Sequence, residues 1–370
     1  MKLYNSCSKS VQTGFSLIEI MIGLVIGLIA TLVITQVMSV FEGQKRSTTG
    51  SADAQTNGQI ALYNISREMQ IAGYPLMPTG KANLADSPLE CTSLTVDHTA
   101  SPDPLAGVGG VDPITITNGV GVAGTSSASD TITIRYGSSV MGGVPTQIGS
   151  VSGSVLALGS NFGCAVGDIT FITNGSSCAM STVTAKTAAG VTPQTVTLRS
   201  AAGAAVNANI ACLGGWNQLT YAVNNASLQR NGVDNVAGVV NIQAQYGVST
   251  SANSNVITQW VDATGAFAPA SLGLAPATRN RIKAVRVAII ARNSKIEQSA
   301  VTALCSSRTA AAPTGLCAWP AAQVGGAVTA VQTAPEVKLS DGDANWANYR
   351  YRVYETIIPL RNIIWSKGTL

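Results

Sequence analysis

The amino-acid sequence predicts an α+β protein. A long N-terminal α-helix, transmembrane at its start and amphipathic further on, is packed on an antiparallel β-sheet within an enlarged β-rich globular domain. Three observations carry this expectation. Residues 15–41, FSLIEIMIGLVIGLIATLVITQVMSVF, form an apolar run with a single carboxylate, Glu19. Leu62, Ile65, Met69 and Ala72 follow at spacings of three, four and three, one face of a 3.6-residue period. Beyond residue 90, short segments alternate apolar side chains with Thr and are separated by Gly-, Asn- and Ser-rich turns.

A bilayer core needs roughly 20 apolar helical residues, and Ile20 to Phe41 carries no charge. The run can therefore span a membrane. Lys2 and Lys9 precede it, whereas Glu42, Lys45, Arg46 and Asp53 mix signs after it. The positive-inside rule keeps the first residues cytoplasmic and puts everything after about residue 42 outside. A charge near the centre of a membrane costs roughly 2.5 kcal/mol or more, so Glu19 is expected to have a partner. Gly23 and Gly27 form a GxxxG spacing that permits close helix approach. The helix is expected to continue from Phe15 to Ala72, about 58 residues or ~87 Å at 1.5 Å per residue. Tyr74-Pro75 should end it, because the residue before Pro is pushed out of the helical region. Gly43, Gly50 and Gly58 are the expected weak points.

Gly14-Phe15-Ser16-Leu17-Ile18-Glu19 resembles the processing motif of type IV prepilins and of the pseudopilins of type II secretion. The resemblance implies cleavage by a prepilin peptidase between Gly14 and Phe15 and methylation of the new Phe15 terminus. It also implies that Glu19 pairs with the N-terminal amine of a neighbouring subunit and sets the axial stagger of assembly. An ordinary secretory signal would instead put its cleavage site after the apolar stretch. Tyr63 to Tyr74, the segment Val239 to Val248 ending in Tyr246-Gly247-Val248, and the C-terminal Tyr349 to Trp365 resemble the PilW family of minor pilins. The helix end is also similar to the J-type minor pseudopilins. The expected organisation is a leader at 1–14, a helix at 15–74 (15–41 transmembrane) and an extracytoplasmic β-rich domain at 75–370, with an insertion near 294–335.

Removing the leader leaves 356 residues and a net charge of +2 from 20 basic and 18 acidic side chains. Between residues 101 and 270 there are ten charged side chains and no Glu. Cys7 lies in the leader. Six cysteines remain, Cys91, Cys164, Cys178, Cys212, Cys305 and Cys317, an even number suited to disulfides in an oxidising compartment. Six cysteines allow fifteen connectivities. Nearness in sequence favours Cys305–Cys317, then Cys164–Cys178, which leaves Cys91–Cys212. The chain has no CxxC and one histidine, which argues against a zinc site, and no cofactor or metal is expected.

Strands are expected at 114–117, 131–136, 195–198 and 239–248, with a hairpin of 218–223 and 227–230 through Asn224-Asn225-Ala226. Ile282 to Arg292 is apolar on both faces except at Lys283, Arg286 and Arg292, as a central strand with covered faces would be, and Tyr349 to Leu360 is its expected neighbour. Ser249 to Asn255 has no carboxylate, and Asp341-Gly342-Asp343 is too sparse for a calcium loop. Tyr349-Arg350-Tyr351-Arg352 with Arg279, Arg281 and Lys283 is a candidate DNA-contacting face, weighed down by the small net charge. His98 has neither a nucleophile elbow nor a phosphate-binding loop to work with, so no enzyme is expected.

The resemblance thus implies a structural protein: a minor pilin in a tip or priming complex of the type IV pilus, supporting twitching motility, adhesion or DNA uptake. Its partners would be other minor pilins and the major pilin, the prepilin peptidase and the inner membrane, with a surface receptor or DNA as further candidates. The alternatives are a J-like minor pseudopilin and a pilus-tip adhesin.

Overall fold

The computed structural model describes residues 14–76, 91–97, 111–119, 128–174, 177–273, 275–304, 315–318 and 345–365. The first thirteen residues, His98, Cys305 and most of the expected 294–335 insertion lie outside the described residues. Helix α1 runs from Leu17 to Gln70 without a break. The chain divides into two units, residues 1–50 and 51–370.

In the first unit α1 passes through Gly43 uninterrupted, and its apolar side chains from Leu17 to Phe41 are exposed, as is Phe15 before it. A lone Gly costs a helix only about 1 kcal/mol, and cooperative propagation of the flanking turns outweighs that.

In the second unit the strands are β1 (Ser93–Asp97), β2 (Ile114–Thr117), β3 (Thr131–Gly137), β4 (Thr146–Ser152), β5 (Val155–Leu158), β6 (Ile169–Asn174), β7 (Ser177–Lys186) and β8 (Gln194–Leu198). They continue with β9 (Asn209–Cys212), β10 (Trp216–Asn224), β11 (Ser227–Arg230), β12 (Val233–Ala237), β13 (Val239–Val248) and β14 (Gln259–Val261). Helices α2 (Pro269–Leu272) and α3 (Pro276–Arg279) precede β15 (Ile282–Arg292) and β16 (Tyr351–Pro359), and α4 (Arg361–Trp365) follows.

Two antiparallel sheets share one core with α1. One has the order β12-β11-β10-β3-β2, the other β14-β13-β15-β16. The C-terminal part of α1 and the turn after it bury Ala54, Gly58, Ala61, Ile65, Met69 and Ala72, steps of four, three, four, four and three. From Ala61 onward this stripe meets Ile116, Ile132, Ile134 and Tyr221 of the first sheet and Ile242, Tyr246, Val287 and Ile289 of the second. Leu62 lies at the margin of the stripe, packed against the core but only half-buried. The expected strand at 282–292 is central: Val285, Val287 and Ile289 face α1, while Ala288 and Ile290 join Val240, Ala318 and Tyr351 in a second cluster. Its neighbour pairs from Ala284↔Pro359 to Arg292↔Tyr351. The β10–β11 hairpin closes at Asn224↔Ser227, with Asn225 and Ala226 both left-handed (φ 48° and 55°) as a two-residue turn requires.

Gly58 is a point of close approach rather than of weakness. A Cβ there would collide with the Tyr354 ring and lie 3.3 Å from the Ala291 Cβ, whereas one at Gly43 would meet nothing within 4 Å. Gly→Ala gains about 1 kcal/mol of helix propensity, and overpacking costs about 1–3 kcal/mol. The same substitution should therefore lower the melting temperature at Gly58 and leave it unchanged or raised at Gly43, as followed by circular dichroism of the full chain in detergent. Equal shifts at both positions would contradict the packing.

The largest departure from expectation lies between β3 and β10. These strands pair antiparallel as far as Gly137↔Trp216, so residues 138–215 leave and rejoin at the open end of a hairpin. Within them, β7, β6, β9, β4, β5 and β8 pair in that order, and β8 pairs back with β7, closing a six-stranded ring. Ile148, Leu156, Ile172, Val183, Val196, Leu198 and Ile210 fill it. Strand β8 covers the edge of β7 only from Val183 to Lys186, and β1 takes the same edge from Ser177 to Ser181 in parallel register. The short Thr-rich segments were legible as strands, but strand periodicity says nothing of which strands close on which.

Candidate assembly interface

The apolar helix begins with a reciprocal cap. The Ser16 backbone N–H donates to Glu19 Oε2 at 2.9 Å, and the Ile18 N–H donates to Ser16 Oγ at 3.4 Å. This is the Ser-x-x-Glu capping box, and it satisfies first-turn N–H groups that otherwise lack partners. Glu19 Oε1 has no hydrogen-bond partner among the described residues. Further along, Thr31 and Thr35 donate their hydroxyls to the Leu28 and Leu32 carbonyls at 2.9 Å each. Both polar groups are thereby satisfied within the helix, as a lipid environment demands. A Cβ at Gly23 or Gly27 would meet nothing within 4 Å, so this GxxxG face is open.

In the second unit, polar contacts fix α1 on its sheets. Glu68 accepts from the Tyr221 hydroxyl and forms an ion pair with Arg230 at 2.9 Å. Burial, with the Glu68 carboxylate beside it, pushes the Tyr221 phenol well above its usual range. Asn64 donates to Asn235 at 3.0 Å. Asn362 Nδ2 donates to the Gln70 and Ala72 carbonyls at 3.3 and 3.1 Å, capping the end of α1 from the far end of the chain. Sequence reading missed Asn362, because a cap supplied 290 residues away has no local signal. Beyond the expected strand the described chain turns into α4, whose Ile363 joins the core.

The candidate basic face for DNA is assembled only in part: Arg350 and Arg352 are exposed, but Arg279 and Lys283 are not. Arg279 is buried and pairs with buried Asp112 at 3.2 Å. Lys283 is buried, its ammonium donating to the Ala252 and Asn280 carbonyls at 2.9 and 2.8 Å. Arg281 donates to the Ser249 carbonyl, and Arg350 pairs with Glu297. These cations serve loops and carbonyls within the domain. A β-strand pattern of Arg and Tyr shows alternation and cannot show what covers each face.

The cysteine pairing differs from the expectation. Cys91 bonds Cys178 (Cα–Cα 5.8 Å) and Cys164 bonds Cys212 (Cα–Cα 5.2 Å). Cys164 precedes β6, whereas Cys178 stands opposite Thr173 near the far end of that strand, and the strand's length separates them. At about 3.3 Å per residue that is beyond disulfide reach. Cys212 stands opposite Thr170, at the near end. Cys317 is also disulfide-bonded; Cys305, its expected partner, lies outside the described residues.

An apolar N-terminal helix whose second half docks on antiparallel sheets, continuous with a disulfide-stapled β-rich domain, is the architecture of a membrane-anchored pilin-type subunit. Residues 9–35 match the family model described as the prokaryotic N-terminal methylation motif, and residues 214–362 match that of the type IV pilus-assembly protein W. In these two segments the chain is similar to a PilW-family type IV pilin, and that family is a structural one. Neither the curated proteins nor the solved structures contain a match to it. The PilW match starts where the six-stranded ring ends and covers β10 to the start of α4, so the ring lies outside it.

Proposed function

We propose that the chain is a minor pilin that joins a tip or priming complex initiating assembly of the type IV pilus. The organisation proposed is a leader at 1–14 facing the cytoplasm, a helix at 15–74 and a displayed domain at 75–370. That domain is periplasmic while the subunit is stored in the inner membrane and extracellular after assembly. Prepilin peptidase cuts between Gly14 and Phe15, and the new Phe15 amine is methylated. The observation that carries this reading is Glu19, the one charged side chain between Phe15 and Phe41, inside the matched methylation motif. With Oε2 held by Ser16, Oε1 remains for the terminal amine of a neighbouring pilin. The open Gly23–Gly27 face supports close packing with major and minor pilin helices. The large domain supports minor status, since such a headgroup would not tile densely along a filament.

The test separates capping from pairing. Glu19→Gln keeps an acceptor for the Ser16 N–H but loses the charge; Glu19→Ala loses both. Both variants should reach the membrane, and both should lower surface piliation at least about tenfold, the equivalent of one lost interaction of 1.4 kcal/mol or more. The N-terminal peptide from sheared fibres should begin at methylated Phe15. Normal piliation by Glu19→Gln, or another N-terminus, would overturn the reading.

A further inference from the structure

We propose that the end of the six-stranded ring beside Pro75, made by the 140–144 and 160–166 loops, is an adhesive face that binds uncharged apolar surfaces. This goes beyond the assembly role above and does not depend on it.

Two neighbouring loops carry large apolar side chains into solvent: Val140 (95% exposed), Phe162 (71%), Val144 (69%), Val166 (62%) and Met141 (41%). The loops lie side by side, since a Cβ at Gly163 would sit 3.8 Å from that of Met141. Soluble domains rarely present such side chains together unless something covers them in use.

The loops are also built to hold this arrangement. Cys164 is bonded to Cys212, and buried Asn161 donates to the Thr187 and Thr195 carbonyls at 2.9 and 3.1 Å. The Ala165 N–H donates to Asp168 Oδ2 at 2.7 Å. On the other loop, Tyr74 donates its hydroxyl to the Ser139 carbonyl at 2.8 Å, and the Ser139 N–H donates to the Leu213 carbonyl at 2.8 Å. Phe162 is therefore presented on a pinned loop, and little ordering entropy opposes its contacts.

The electrostatics select the partner. Residues 138–215 contain three charged side chains, Asp168, Lys186 and Arg199. All three are engaged internally: Asp168 with the Ala165 N–H, Lys186 with the Cys164 carbonyl and Arg199 with Asp97. Nothing remains to attract a polyanion or an anionic headgroup. The 140–144 loop has no polar side chain. In the other loop Ser160 Oγ accepts from the Phe162 N–H, and Asn161 is buried. The Ser160 O–H is thus the main side-chain group these two loops offer for directional recognition of a sugar or peptide. Burial of apolar area is the remaining source of affinity, and it is non-directional.

The test uses the full chain in nanodiscs of neutral lipid, which cover the apolar helix, with empty nanodiscs as blank. Retention is measured on uncharged polystyrene beads and on hydroxylated silica beads. Binding is expected on polystyrene only, unchanged at ~0.5 M salt, where the Debye length is only a few ångströms. Val140→Ser with Phe162→Ser should cut retention at least tenfold. These surface changes should leave stability within about 0.5 kcal/mol and Cys164–Cys212 oxidised. Val233→Ser, at an exposed valine that opens β12, should bind like the unaltered chain. Equal retention by the double variant, equal loss with Val233→Ser, or loss in salt would overturn the proposal. So would a dimer in solution that the double variant dissolves, since the patch would then belong to a second copy.

Discussion

Arg279→Ala is expected to cost the domain about 3–5 kcal/mol, the range for breaking a buried ion pair from one side. Arg279 is the last residue of α3, and its guanidinium reaches four acceptors: Asp112 Oδ1 at 3.2 Å, the Leu272 and Gly273 carbonyls at 3.3 Å each and the Cys91 carbonyl at 3.0 Å. It thereby ties α2, α3, the approach to β2 and the root of β1 together beside the Cys91–Cys178 bond. Burial raises the Asp112 pKa above the ordinary carboxylate value even with Arg279 and Arg135 opposing it. Removing Arg279 removes the stronger opposition, so the variant should fall furthest behind the unaltered chain at neutral and alkaline pH, where Asp112 must stay ionised. Urea unfolding of the full chain in detergent at pH 5 and pH 8 measures this. Arg279→Lys should recover only part of the loss, because an ammonium cannot span the same acceptors. Arg279→Met with Asp112→Leu should recover most of it. A loss below about 1 kcal/mol would mean that the pair is not the clamp described.

Asp130 should give stability a slope with pH. The residue is buried just before β3, where β14 is too short to cover the edge of β13. Its side chain and that of Ser129 stand in for the missing strand: Ala244 N–H donates to Asp130 Oδ2 at 2.7 Å and Ile242 N–H to Ser129 Oγ at 3.0 Å. Gly119 N–H donates to Asp130 Oδ1 at 2.8 Å. Burial raises the carboxyl from 3.8 to about 7, against these two backbone donors and with Asp262 adding to the rise. A carboxyl whose folded pKa lies above its unfolded value takes up its proton more readily when folded. Stability should therefore be highest below about pH 4, fall between pH 4 and 7, and level off above. At 1.36 kcal/mol per pK unit this amounts to about 4 kcal/mol. Asp130→Asn, neutral throughout, should lose this slope. Asp130→Ala should lose about 2–5 kcal/mol at pH 5 by leaving buried N–H groups unpaired. Melting temperatures across pH 4–8 test both, and parallel curves for the unaltered chain and Asp130→Asn would refute the assignment.

Legibility followed the range of the interaction. The face of α1 was readable to within one residue, Leu62 being marginal and Ala61 central, because helical periodicity is local. The hairpin was readable from Asn224-Asn225-Ala226 between alternating segments, although Asn224 belongs to the ladder and the turn is Asn225-Ala226 alone. The central strand at 282–292 was readable because apolar residues on both faces exclude an exposed sheet. The ring at 146–212 was not, since its strands resemble those of the sheets. The disulfides were misassigned because nearness along the chain was used where β6 holds Cys164 and Cys178 apart. Arg279 and Lys283 were taken as surface cations because nothing beside them in sequence announces Asp112 or the Ala252 carbonyl.

What the sequence by itself determined is the apolar helix, the placement of Glu19 within its first turn, and a β-rich domain poor in charge. These follow from hydropathy, spacing and composition, all properties of neighbouring residues. Tertiary structure alone decided that β3 and β10 pair across the intervening ring, that Asn362 caps α1, which cysteines meet, and which charges are taken out of water. Each depends on segments far apart in the chain meeting in space, and their free energy resides in a contact that neither segment encodes alone.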